Sequence, residues 1–180
     1  EDGQEFAAST AEVIFTAWRT IGEARAFYKS IKSRLAKYGR APEHFKIMPG
    51  IYPVIGKTES EAKEKYDQLS ELLHPKVGLA LLSGLSGGID LSQFPVDGPL
   101  PELPPTNGNQ SRRQLMADLA GRENLTIREL YTAVAGARGH WTLWGTPEQV
   151  ADQMEEWFVT DAADGFNVMP PYLPGGLTTF

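Results

Sequence analysis

The chain has 180 residues, 41% hydrophobic and 22% charged, a balance that supports a buried core and argues against disorder. A formal charge of -6 and a pI near 5.1 argue against nucleic acid or an anionic membrane as partner, because both need clustered Lys and Arg; small molecules are the expected partners. Without cysteine there is no disulfide, thiolate chemistry or cysteine-ligated zinc. No apolar run reaches the roughly 18 to 20 residues of a bilayer span and no signal-peptide pattern opens the chain, so the cytoplasm is the expected compartment.

The segment Asp2 to Ala8 reads as the first turns of a helix entered through Gly3. Free N–H groups and the helix dipole make such a start a weak phosphate-binding feature, one shared by any capped helix. Val13-Ile14-Phe15 is a short run of β-formers, and Thr20 followed by Glu23 is a capping box. Ala24, Phe27, Tyr28, Ile31 and Leu35 then follow at three- and four-residue steps, and Gly39 is placed to cap that helix. Phe45 to Ile55 predicts a buried strand. Thr58 with Glu61 opens another helix, with Ala62, Tyr66, Leu69 and Leu73 on one face. Thr126 with Glu129 opens the next helix, Trp141 to Trp144 predicts a strand, and Thr146-Pro147-Glu148-Gln149 opens a helix with Val150, Met154, Trp157 and Phe158. Phe166 to Met169 predicts the last strand.

Strand and helix alternate, which implies a parallel sheet with crossover helices, and the four predicted strands amount to half of an eight-stranded barrel. A closed barrel takes about 250 residues, so half of one is the expectation and an open doubly wound sheet is its rival. The whole of residues 1–180 reads as one partial barrel domain. Within it, residues 74–111 break the rhythm with six of the 13 prolines and six of the 18 glycines, yet hold Leu79, Leu81, Leu82, Leu85, Ile89, Leu91 and Phe94. That composition predicts a lid that packs rather than a linker. The chain opens at Glu1 without methionine and closes at Phe180 after Gly175-Gly176, so both ends are expected to be cut. Cut barrel edges predict self-association, a homo-oligomer being the expected state.

Gly84-Leu85-Ser86-Gly87-Gly88 matches the G-x-S-x-G pattern of a hydrolase nucleophile elbow, with Asp118 and His140 following in that fold's order. The elbow needs a helix after its serine, and Pro95, Pro99, Pro101 and Pro104 forbid one there, which favours a glycine-rich hinge over a nucleophile. His44, His74 and His140 lie far apart without ligand-pair spacing, so no metal site is expected. His44 and His74 read as loop residues, while His140 directly precedes a strand and reads as either structural or part of the active site. Glu59, Glu61, Glu64, Glu71, Glu155 and Glu156 read as solvated helix faces.

Five segments taken together resemble the nitrilotriacetate and dibenzothiophene-sulfone monooxygenase branch of the luciferase-like flavin monooxygenases. They are Gly3 to Ala8, Ala11 to Thr16, Pro49 to Ala62, Gly145 to Asp152 and Asp164 to Gly176, and they run in family order from end to end. The resemblance implies a TIM (β/α)8 barrel, present here as roughly its second half, that takes reduced FMN from a separate NAD(P)H:FMN reductase and uses O2 to oxidise a small organic substrate. In that family a serine-bearing loop just before the segment matching Glu1 to Phe6 contacts the flavin phosphate. Those serines are absent, leaving Gly3 and Gln4 as the cofactor-binding candidates. Asn167, Met169 and Tyr172 are the candidates for the substrate face, because barrel sites lie at strand carboxyl ends. The catalytic residues are expected in the missing amino-terminal half. The insertion corresponds to a variable region that covers the active site in relatives. A noncatalytic half-barrel scaffold is the alternative from a different class.

Overall fold

The computed structural model describes residues 2–180, in the order α1 (Asp2–Thr10), β1 (Val13–Thr16), α2 (Ile21–Arg34), β2 (Lys46–Ile55), α3 (Glu59–Glu71), α4 (Pro75–Leu85), α5 (Gln110–Glu123), α6 (Ile127–Ala135), β3 (Trp141–Gly145), α7 (Pro147–Val159), β4 (Asn167–Val168) and α8 (Gly175–Thr178). The polypeptide forms two compact units, one from the chain up to Glu64 together with His140–Phe180, the other Lys65–Gly139.

The first unit holds all four strands, and every strand pairing is parallel, as alternation with helices requires. β2 is the shared strand. Its residues Lys46 to Pro49 pair with β1, Gly50 and Ile51 with β4, and Ile51 to Ile55 with β3. A simple chain-order barrel would set β4 beside β3; instead β4 hydrogen-bonds to β2. The ten residues of β2 make this possible, because β1 takes up only Lys46 to Pro49 and leaves Gly50 and Ile51 for the two-residue β4.

Side chains alternate across the sheet. Ile47 packs with Ala8, Ile31, Leu35 and Phe45 on the helix side, and Ile51 and Ile55 pack with Leu143 and Val150. Ile14 of β1 joins the first of these clusters, which turns Val13 and Phe15 to the opposite face, where each is 58% exposed. Trp157 of α7 stacks on Trp141 with ring centroids 4.2 Å apart.

The caps at Thr126 and Thr146 form complete reciprocal boxes, the second with Pro147 at the first turn. At Thr20 the hydroxyl accepts from the Glu23 amide and donates to the Glu23 carboxylate at 2.7 Å. At Thr58 the hydroxyl accepts from Glu61, whose carboxylate takes the Lys57 amide at 2.9 Å. Gly39, at φ 65°, caps the 3-10 turn Leu35–Tyr38 that prolongs α2.

The second unit is helical, with its own core of Leu82, Leu91, Met116, Leu119, Ile127, Leu130, Tyr131 and Val134. Within residues 74–111 the chain makes a regular helix, α4, where the composition suggested irregular structure. His74 caps it through Nδ1, which accepts from the Lys76 amide at 3.2 Å, and Pro75 occupies the first turn. Gly78 permits close packing on α6, since a Cβ there would lie 2.5 Å from the Tyr131 ring.

Candidate functional site

Ser86 is not a nucleophile elbow. It follows the end of helix α4, its amide donates to the Leu82 carbonyl, and the left-handed Gly87 and Gly88 turn the chain away. An elbow needs a strand before the serine and a helix after it, and neither is present. The buried Ser86 hydroxyl has no hydrogen-bond partner among the described residues, so nothing activates it. No group of three or more His, Asp or Glu side chains able to hold a metal occurs among the described residues.

The strands of the first unit instead converge at one level of β2. Thr16, the last residue of β1, pairs with Pro49, and Asn167, the first of β4, pairs with Gly50. Gly50 therefore marks the step where β1 ends and β4 begins. Of the strands that meet there only β1 presents its carboxyl end, the end at which ligands gather in parallel α/β proteins.

Gly50 also explains what sits beside it. His140 is only 4% exposed and stacks on Phe15, with centroids 4.8 Å apart and planes 14° from parallel. A Cβ on Gly50 would lie 2.6 Å from His140 Nδ1 and 2.9 Å from Phe15 Cε2, so only glycine admits both rings. The sequence left His140 between a structural and an active-site role and was silent about Phe15. An isolated glycine inside a strand run was the available signal, since it marks a close approach.

Of the sequence candidates, Asn167 comes to this same rung, its side-chain amide donating to the Met48 carbonyl at 2.9 Å. Met169 lies just beyond, its backbone N–H donating to Ile51 O at 2.8 Å. Tyr172, in the turn that follows, is 41% exposed and packs its ring edge against Gly175, where a Cβ would lie 2.8 Å from Cε2.

Gly3 and Gln4 lie elsewhere in the unit, in the first turn of α1 beside α2. A Cβ on Gly3 would meet nothing within 4 Å, and Gln4 Oε1 accepts from Ser30 at 3.0 Å. Next to them, Glu5 accepts from the Tyr38 hydroxyl at 2.6 Å, from Lys37 at 2.9 Å and from Arg34. Those bonds, led by Tyr38, hold its carboxyl down to about 2. The guanidinium of Arg40 donates to the Ala8 and Ala11 carbonyls and satisfies the carboxyl end of α1.

At the amino ends of the strands Asp164 forms a second polar centre. It accepts from Tyr28 at 3.0 Å, from the Ile47 amide at 2.8 Å and from Lys32 at 3.1 Å, while Lys32 also donates to the Pro42 and Phe45 carbonyls. Burial, and then Asp164, push the Tyr28 hydroxyl above its ordinary range. Polar groups at this end of a parallel sheet stabilise it rather than act on ligands.

At the level of Gly50, where β1 ends and β3 and β4 begin beside β2, the parallel sheet gathers Phe15, His140 and Asn167. The chain belongs to the luciferase-like monooxygenase family, whose profile matches residues 1–164. It is 55% identical to nitrilotriacetate monooxygenase component A of Aminobacter aminovorans over 99% of this chain and 40% of that protein. Among solved structures it is similar to DmoA of Hyphomicrobium sulfonivorans, with a TM-score of 0.83 and 29% identity over 99% of this chain and 37% of that one. It is also similar to riboflavin lyase RcaE, solved with modified FMN and riboflavin, with a TM-score of 0.78 and 30% identity over 99% of this chain and 38% of that one. The chain thus spans about two fifths of the length of the relatives it matches.

Proposed function

We propose that this chain is part of a monooxygenase that uses reduced FMN, delivered by a separate NAD(P)H:FMN reductase, to insert one atom of O2 into a small organic substrate. The reading is carried by the 55% identity with a monooxygenase component along 99% of the chain. In this reading the first unit is a wall from the second half of a TIM barrel, the level of Gly50 faces the reacting molecules, and residues 74–111 act as a lid. Reduced flavin, when bound, supplies the electrons that activate O2.

The protein's own part is binding, orientation and exclusion of water. The open flank of Gly3 leaves the backbone at the start of α1 accessible to a phosphate, and Arg34 and Lys37 neutralise the Glu5 carboxylate that would repel it. Those two features fit FMN, with Gly3 and Gln4 at its phosphate. Asn167, Met169 and Tyr172 would meet the substrate. A homo-oligomer in the cytoplasm completes the reading.

The full-length protein, given a flavin reductase, NADH and oxygen, is expected to consume oxygen beyond the free-flavin background when a substrate is present. No excess across a broad panel of chelating, sulfur-containing and alkane substrates would sink the reading. A noncatalytic half-barrel scaffold is favoured by one observation, the exposure of Val13 and Phe15 at 58% each. Tight FMN binding with quenched flavin fluorescence removes it.

A further inference from the structure

The Phe15–His140 stack is used by neither the fold's helix-side clusters nor the site residues named so far. Phe15 stands on the sheet face opposite those clusters, one residue before the end of β1, and is 58% exposed while stacked on His140. Three features make the arrangement specific. The rings lie within 14° of parallel, His140 is held at 4% exposure, and Gly50 gives up its side chain to admit both rings. An exposed aromatic ring normally keeps rotational freedom, and this one is braced from behind.

We propose that Phe15 is a platform on which a flat conjugated ring rests, and that His140 is the positioning residue that holds Phe15 in place. This rests on the monooxygenase reading, in which two planar rings are available: the isoalloxazine of the flavin and an aromatic or heteroaromatic substrate. Offset stacking of this kind changes affinity by roughly three- to tenfold.

The test uses the full-length protein and follows flavin fluorescence during titration with FMN, together with substrate KM and kcat. Phe15→Leu is expected to raise the FMN Kd about three- to tenfold and reduce the fluorescence quench, whereas Phe15→Trp, which keeps a ring, stays near wild type. If the FMN Kd holds and substrate KM rises by that factor with kcat unchanged, the platform carries the substrate's ring instead. His140→Gln should reproduce part of the Phe15→Leu effect and add nothing to it in the double variant, because its action runs through Phe15. Gly50→Ala, which forces the rings apart, should resemble His140→Gln.

A purely structural stack would lower Tm in these variants and leave Kd, quench and KM untouched, and that result overturns the proposal. So does a Phe15→Trp variant as weakened as Phe15→Leu. A wild-type protein that binds no flavin overturns the monooxygenase reading and the platform with it. Normal wild-type binding with unchanged variants overturns the platform alone.

Discussion

Asp164 is the residue with the most at stake in the first unit. Its side chain is 13% exposed and that of Lys32 is 10%, so each desolvated charge depends on the other. Asp164→Ala should destabilise the protein by about 3–5 kcal/mol, measured by urea denaturation, because it leaves the Lys32 ammonium in place without its carboxylate. A loss below about 1 kcal/mol would show that water reaches the site. Glu5 makes a pH-dependent contribution from a more open position, its side chain 32% exposed among Arg34, Lys37 and Tyr38. Its carboxyl titrates at about 2 in the folded protein against 4.5 in the reference state. A group whose folded value is depressed stabilises the fold above the reference value and loses that contribution as pH falls toward the folded one. The difference in Tm between wild type and Glu5→Gln should therefore be constant above pH 4.5 and shrink between there and pH 2.

At the scale of elements, the helix caps divide into two grades. Thr126 and Thr146 form full reciprocal boxes, and Thr20 does not. Thr146→Ala should cost about 1 kcal/mol by thermal or chemical denaturation, and Thr20→Ala less. The four helix starts capped by Thr20, Thr58, Thr126 and Thr146 were legible in the sequence because a cap is a local device, readable from two residues three apart. The four strands were legible for the same reason, as short runs of β-branched and aromatic residues. Helix α4 was not, since Gly78 and Gly84 lower its intrinsic propensity and its stability comes from packing Gly78 on Tyr131, a contact far away in sequence. The pairing of β4 with β2 was likewise hidden, because strand order depends on which stretch of β2 each neighbour occupies. Among the site residues, Asn167 could be nominated from its place in the last predicted strand. The Phe15–His140 stack could not, as it joins residues brought together only by the sheet.

On the scale of the whole molecule, β1 pairs only with β2 among the described residues, and the face bearing Val13 and Phe15 is open. A strand with one unpaired edge beside uncovered apolar side chains is a template for association. Residues 1–180 produced alone should elute in size-exclusion chromatography at an apparent mass that rises with loading concentration. A monodisperse species near 19.8 kDa at every concentration would contradict this.

β2 carries one more consequence, and it concerns the ribosome. The partners of Gly50 and Ile51 in β4 are Asn167 and Val168, so the middle of β2 leaves the exit tunnel long before the strand that covers it. At roughly 5–20 residues per second, that stretch waits several seconds or longer for its neighbour. During the wait, Ile51, Tyr52 and Val54, all buried in the finished protein, are available to chaperones and to other nascent chains. Yield in cells should accordingly respond to translation speed over the codons for Lys65–Gly139, the interval that sets how long β2 stays bare.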